Sequence, residues 1–283
     1  MKFENLRVNG FEAALRGMRY SYGSEDRADS SFGIGSIDDA ENALWQVLET
    51  WLNFKGIKDY DPNYDNEVEK LNTWLFENGI LREENNCCEW AFIGPNDLKL
   101  MQNLIRTSTS ERKYMRQIFV SFDITAPLYI WKELDTYKIN TTANSESTMH
   151  TIKKKRITLD LFETDDYIPS LGIATPKHAY SVNSRVEDFI DFLEELRMTY
   201  IETNDKQYWK ELIRWLPESW LQKRLFTCNY ENILNIFQQR CKLPHKLNEW
   251  SGKDNSSLPN MKNFILTFPY AKDLFFIDKK SDR

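Results

Sequence analysis

Glycine is scarce in this chain, with 10 in 283 residues. That argues against a doubly wound nucleotide-binding fold, which depends on tight glycine turns. Gly33-Ile-Gly35 lacks a third glycine and a preceding strand, so it is no dinucleotide fingerprint, and no P-loop sequence occurs. Cysteine is equally sparse. Cys87 and Cys88 are adjacent, without the two-residue spacer of a zinc clamp, and neither Cys228 nor Cys241 brings a second pair. No metal site is expected. The three histidines, His150, His178 and His245, lie far apart, and nothing marks any of them as a catalytic base. No apolar run approaches the roughly 20 residues of a membrane span, and the N-terminal residues lack a signal-peptide core. The expectation is a cytoplasmic protein with free thiols and no membrane partner. The net charge of −6 works against nucleic-acid binding, which needs a basic footprint, but a local arginine can still hold a small phosphate ligand.

What is present is an ordinary globular balance, 41% hydrophobic and 28% charged, with 14% aromatic residues. Phe11–Tyr20 reads as a short helix and residues 23–35 as a polar loop. Ile37–Phe54 is a helix capped by Asp38 or Asp39, with Ala43, Leu44, Val47, Leu48, Trp51 and Leu52 at three- and four-residue spacing. Residues 67–76 and 97–106 are further amphipathic helices. In Gln117–Ile130, Ile118, Val120, Phe122 and Ile124 alternate with other residues, which predicts a strand ending at Pro127. Residues 140–148 read as a loop, the basic run 153–156 as a solvated strand edge, and 157–162 as a strand. Ser184 through Glu187 matches a capping box, and the chain from Val186 onward reads as mostly helical. The economical reading is one α+β domain across residues 1–283.

The stretch from Leu216 to Arg240, LPESWLQKRLFTCNYENILNIFQQR, places Asn229, Asn235 and Arg240 in an otherwise apolar segment. If Asn229 opens a helix turning about 100° per residue, Ile233, Leu234, Ile236 and Phe237 share a face with Arg240 at its edge. An arginine so placed can reach an anion or a planar base. The Leu-Pro, the two asparagines and the terminal arginine resemble the C-terminal active-site segment of the flavin-dependent thymidylate synthases. Two further blocks resemble that family in the same order. One is MRYSYG at residues 18–23, and the other is the strand-helix unit 117–138 with Ala126-Pro127. After the latter, Asn144 and Ser147 match the family's nucleotide motif.

The departures are physical. Lys132-Glu133 stands where the family has Arg-Gln, and Thr136-Tyr137-Lys138 where it has Arg-His-Arg. Met149 replaces an arginine, Glu231 another, and Gln117 a histidine. Several cations able to clamp phosphate or flavin are therefore gone together.

The resemblance implies a central, mostly antiparallel sheet flanked by helices, with insertions near residues 37–95 and 151–185. It implies FAD as cofactor, with NADPH and methylenetetrahydrofolate as co-substrates, dUMP or a related pyrimidine nucleotide as substrate, dTMP as product, and a homotetramer. Arg240 and Ser147 would serve catalysis and, with Glu133, bind the nucleotide. Ser21, Gln117, Lys138, Asn229 and Asn235 would hold the flavin. The alternative is a relative that keeps the fold for nucleotide or flavin binding, or for assembly, without turnover.

Overall fold

The computed structural model describes residues 1–176 and 178–277. In chain order, β1 (Lys2–Asn9) leads through Gly10 into α1 (Phe11–Tyr20), and β2 (Ser31–Gly35) precedes α2 (Ile37–Lys55) and α3 (Tyr64–Asn78). The hairpin β3 (Ile80–Glu84) and β4 (Cys87–Phe92) follows, then α4 (Pro95–Thr107), β5 (Phe119–Pro127) and α5 (Leu128–Leu134). Short elements come next: β6 (Thr142–Ser145), α6 (Thr148–Thr151), β7 (Gly172–Ala174) and β8 (Ala179–Ser181). The long α7 (Val182–Thr203) and α8 (Lys206–Arg214) lead to β9 (Leu221–Asn229) and α9 (Tyr230–Ile236). Last are α10 (Asn248–Ser251), α11 (Met261–Ile265) and α12 (Ala271–Phe275). The fold is α+β with a central antiparallel sheet in the order β1-β5-β9-β6.

The chain forms two compact units. The first comprises residues 1–6, 121–227 and 244–261. Its core gathers Ile152, Ile157, Phe162, Leu193, Leu212 and Trp220. The indole of Trp131 donates to the Gln222 carbonyl at 3.0 Å and carries the Arg224 guanidinium 4.3 Å above its ring. Polar strand residues thus cover an aromatic face, a use of arginine that combines charge with packing.

The second unit comprises residues 7–120, 228–243 and 262–283. Here α2 and α3 pack Ala43, Val47, Leu48, Leu52, Leu71 and Leu75 against Phe92. A three-stranded sheet, β2-β4-β3, completes this layer. A Cβ on Gly33 would run into the ring of Trp90, so the close pairing of β2 with β4 requires glycine there.

Several expectations are corrected. Residues 31–35 are a strand, not loop. The cap of α2 is Ser36, whose hydroxyl accepts from the Asp39 amide at 3.2 Å while Asp39 accepts back, so Asp39 closes the box instead of opening it. Residues 142–145 form β6, paired antiparallel with β9. The basic run 153–156 is no strand edge, because Ile152–Lys154 is a 3-10 turn. Residues 157–162 contain a second such turn, and only Phe162 makes an isolated bridge, to Trp220. The helix expected at Ser184 starts one turn earlier, where Ser181 accepts from the Ser184 amide. Most consequentially, 221–229 is a central strand within a region read as helical.

Candidate functional site

Glycine governs the region around Gln117. Gly10 has φ 95°, in the left-handed region, and a Cβ there would collide with the Gln117 carbonyl. One turn before the end of α1, a Cβ at Gly17 would sit 3.2 Å from the Gln117 side-chain oxygen. The two glycines let α1 lie directly on Gln117. Beside this contact is a cavity of about 290 Å³, lined by Gly17, Met18, Ser21, Tyr22, Leu104, Glu111, Lys113, Tyr114 and Gln117. Ser21 and Gln117, about a hundred residues apart in sequence, therefore share one pocket. Tyr22 is 57% exposed and offers a ring for stacking, while Lys113 brings a cation. Tyr114 is wholly buried, its hydroxyl donates to the Met101 carbonyl at 3.1 Å, and burial raises its pKa.

Asn229 does open a helix. It caps α9 in a reciprocal box, its side chain accepting from the Asn232 amide at 3.0 Å while Asn232 accepts back from the Asn229 amide at 3.4 Å. The Tyr230 amide donates to the Ile118 carbonyl at 3.0 Å, which ties the start of α9 to the residue after Gln117. Asn229 is 2% exposed, and its side chain serves the backbone. Beyond Ile236 the helix widens into a π turn, Phe237–Cys241, so the uniform 100° spacing used to place Arg240 does not hold. Such widenings recur at functional positions. Arg240 is half-buried on this turn.

Two residues that sequence reasoning did not find organise this helix. Arg112 donates from Nε to Glu231 at 3.3 Å and from Nη2 to the Asn235 side-chain oxygen at 3.4 Å. Arg116 donates to the other Glu231 oxygen, and that bond raises the arginine's pKa. The carboxylate at 231 is therefore matched by two guanidinium groups from the 3-10 segment Glu111–Gln117. The available signal was Glu231 itself, since a carboxylate at a buried helix start demands a cation.

In the first unit, Glu133 on α5 is half-buried, with one oxygen 4.0 Å from His245 Nε2. Lys138 is exposed after α5. Ser147 is exposed and precedes α6, its carbonyl accepting from the His150 and Thr151 amides at 3.0 Å. Gln222 of β9 steadies this loop, donating to the Glu146 carbonyl at 3.1 Å and to the Thr148 hydroxyl at 3.3 Å. The neighbours of Ser147, Glu146 and Thr148, line a cavity of about 250 Å³ together with Lys154, Lys155, Trp220 and Gln222. Met149 is 55% exposed, but the two lysines of the basic run restore positive charge close by in sequence and at this cavity.

The three buried cysteines are poor nucleophiles. Burial pushes the Cys241 thiol up to about 12 and raises those of Cys228 and Cys88. Thiolate chemistry at neutral pH is thus disfavoured at all three.

Comparison with solved structures shows where this architecture recurs. The fold is that of the flavin-dependent thymidylate synthase ThyX. The Helicobacter pylori enzyme complexed with FAD and dUMP aligns with TM-score 0.51 over 98% of both chains at 12% identity. A second structure of that enzyme with FAD and dUMP aligns with TM-score 0.50 over 98% of this chain and 97% of the other, at 13% identity. No family model and no curated protein matches by sequence. At such identity the likeness shows the fold alone.

Proposed function

We propose that this protein binds FAD and a pyrimidine nucleotide and converts dUMP to dTMP, as a divergent flavin-dependent thymidylate synthase. The observation that carries the reading is the shared pocket of Ser21 and Gln117, in a fold that matches a FAD- and dUMP-bound enzyme along almost its whole length. The pocket fits one end of the cofactor. About 290 Å³ lies near the lower limit of ligand sites, roughly 300 Å³, and suits one ring system or one phosphate-bearing end better than a whole dinucleotide. Tyr22 would stack on that end, Gln117 and Ser21 would hydrogen-bond to it, and Lys113 would neutralise phosphate.

Reduced flavin, when bound, supplies the hydride, and methylenetetrahydrofolate the carbon, with NADPH as the reductant of the flavin. The protein's part is orientation and polarisation. Arg240 would face the pyrimidine. Ser147, with Lys154 and Lys155 near it, would receive the nucleotide phosphate in place of the lost arginine at 149. Glu133 would read a donor on the nucleotide or its water shell. Lys138 would hold flavin phosphate. Asn229 and Asn235 would act by fixing α9, since Asn229 caps that helix and Asn235 accepts from Arg112. A homotetramer in the cytoplasm belongs to the same reading.

A second reading has its own observation. Glu231 and Asn235 are committed to Arg112 and Arg116, so two positions that would otherwise meet cofactor are spent on internal pairing. That favours a protein that keeps a pocket without turnover. One experiment separates the two. Purified protein is desalted after incubation with FAD, its absorbance is recorded at about 375 and 450 nm, the flavin bands, and dUMP methylation is then assayed. Retained flavin with dTMP formation supports the enzyme. Retained flavin without dTMP supports the binding protein. A colourless protein overturns the enzyme and leaves nucleotide binding or assembly as the reading.

A further inference from the structure

Four consecutive cations, Lys153 through Arg156, form the densest positive run of a chain whose net charge is −6. Like charges held side by side in a folded segment repel one another, so an anion that meets them relieves a standing cost. The run cannot spread. Ile152 and Ile157, its two flanking residues, are 4% and 2% exposed and belong to the core of the first unit. All four cations between them are exposed. Lys154 and Lys155 line the cavity of about 250 Å³ that also holds Glu146, Thr148 and Trp220.

The backbone of the run is held from α7. Arg197 donates from Nη1 to the Lys153 carbonyl at 3.0 Å, 44 residues away. Glu194 accepts from the Ile157 amide at 2.9 Å, 37 residues away. The two side chains also bind each other by two bonds, Nε to Oε2 at 2.7 Å and Nη2 to Oε1 at 2.6 Å, with only 10% and 16% of the arginine and glutamate side chains exposed. Paired bonds of this kind fix direction as well as charge. The hydrogen bond from Arg197 lowers the pKa of Glu194, and the same bond raises that of the arginine, so both stay charged at neutral pH. One ion pair therefore grips the chain on both sides of the cations. A lysine on a fixed backbone gives up less freedom on meeting an anion than one on a loose loop.

We propose that Arg197 is a positioning residue for the nucleotide phosphate: with Glu194 it clamps the basic run at both ends and keeps Lys154 and Lys155 on the cavity wall. This rests on the reading of dUMP as ligand. Arg197 does not touch the phosphate. It acts through the two lysines, and its effect disappears when they carry no charge. Lysine at 197 cannot replace it, because one ammonium lacks the planar fork that addresses Glu194 twice while reaching the Lys153 carbonyl.

The test is a double-mutant cycle on the full chain, read as dUMP affinity by calorimetry below each variant's melting temperature. Arg197→Gln is expected to weaken dUMP about tenfold in the parent, and less than about twofold in a chain already carrying Lys154→Gln and Lys155→Gln. A merely structural arginine would lower the melting temperature in both backgrounds without that coupling in affinity. Arg197→Lys should recover little. Glu194→Gln, which keeps one amide oxygen as acceptor, serves if Arg197→Gln does not fold, and should show the same coupled pattern at smaller size. Parental affinity in these variants, or losses that simply add to those of the lysines, overturns the proposal and leaves the nucleotide reading standing. If the parent does not bind dUMP, that reading falls, and the same cycle is run with pyrophosphate. Coupled losses there uphold the positioning role for a phosphate ligand of another kind. A parent that binds neither probe overturns it.

Discussion

Arg112 Nε lies 3.3 Å from Glu231 Oε1, with the two side chains 7% and 9% exposed. This pair joins the segment before Gln117 to the first turn of α9, the helix that leads to Arg240. With Arg116 on the second oxygen, the carboxylate balances two cations, one of them half-exposed. A charge at 231 thus has the opposite sign to the one the family resemblance implies, and the partners are chosen accordingly.

Glu231→Gln leaves Arg112 buried against a neutral amide. Breaking one side of a buried pair costs about 3–5 kcal/mol. The expected result is a lower urea midpoint at unchanged slope. The double variant Glu231→Gln with Arg112→Gln should recover a large part of the loss, because no uncompensated charge remains. A double variant as unstable as the single one would show that the pair is not the source of the effect.

Gly17→Ala separates stability from ligand binding. Alanine in a helix interior is favoured over glycine by about 1 kcal/mol, so α1 should gain or hold stability. The new Cβ, 3.2 Å from the Gln117 side-chain oxygen, pushes that side chain aside by a few tenths of an ångström. If the pocket holds flavin, the variant should melt no lower than the parent and yet retain at least tenfold less FAD after desalting. Full retention would place the cofactor away from Gln117.

The elements written in helical period were legible in the sequence, and the strands carrying polar residues were not. Ala43, Val47, Leu48 and Leu52 announce α2, and Ile118, Val120, Phe122 and Ile124 announce β5, because burial on one face imposes the period. In β9, Arg224 covers the ring of Trp131 on α5 and the Gln222 carbonyl accepts from its indole, so polar residues of the strand do covering work and no apolar alternation appears. β2 was hidden by Gly33, which serves the Trp90 ring and reads as loop composition. At the candidate site, Ser21 and Gln117, drawn from separate blocks of the sequence, line one cavity. The partnership of Arg112 with Glu231 spans 119 residues and has no local signature.

Asp273 makes stability depend on pH in a stated direction. Burial raises its pKa above 3.8, so the folded protein holds this proton more tightly than the unfolded chain does. Stability contributed by that proton is present below the unfolded value and is lost as pH rises through the folded one. Asp273→Asn removes the cost of the buried charge. The variant should therefore melt higher than the parent at pH 7, with the gap closing as pH falls toward 4. A gap that widens on acidification would contradict the direction of the shift.

Arg240 carries the sharpest test of the nucleotide reading. Its planar guanidinium can address a pyrimidine edge or phosphate by two parallel bonds, which lysine cannot reproduce. Arg240→Ala should weaken dUMP at least tenfold, about 1.4 kcal/mol, and Arg240→Lys should recover only part of that. The paired substitution Lys154→Gln with Lys155→Gln should weaken dUMP as well, and should also flatten the salt dependence of binding, because it removes point charges that phosphate feels through solvent. Arginine loss should act on affinity at every ionic strength, since a half-buried group is screened less. Unchanged dUMP affinity in Arg240→Ala, measured by calorimetry on a variant of parental melting temperature, would detach the arginine from the nucleotide and overturn its assignment.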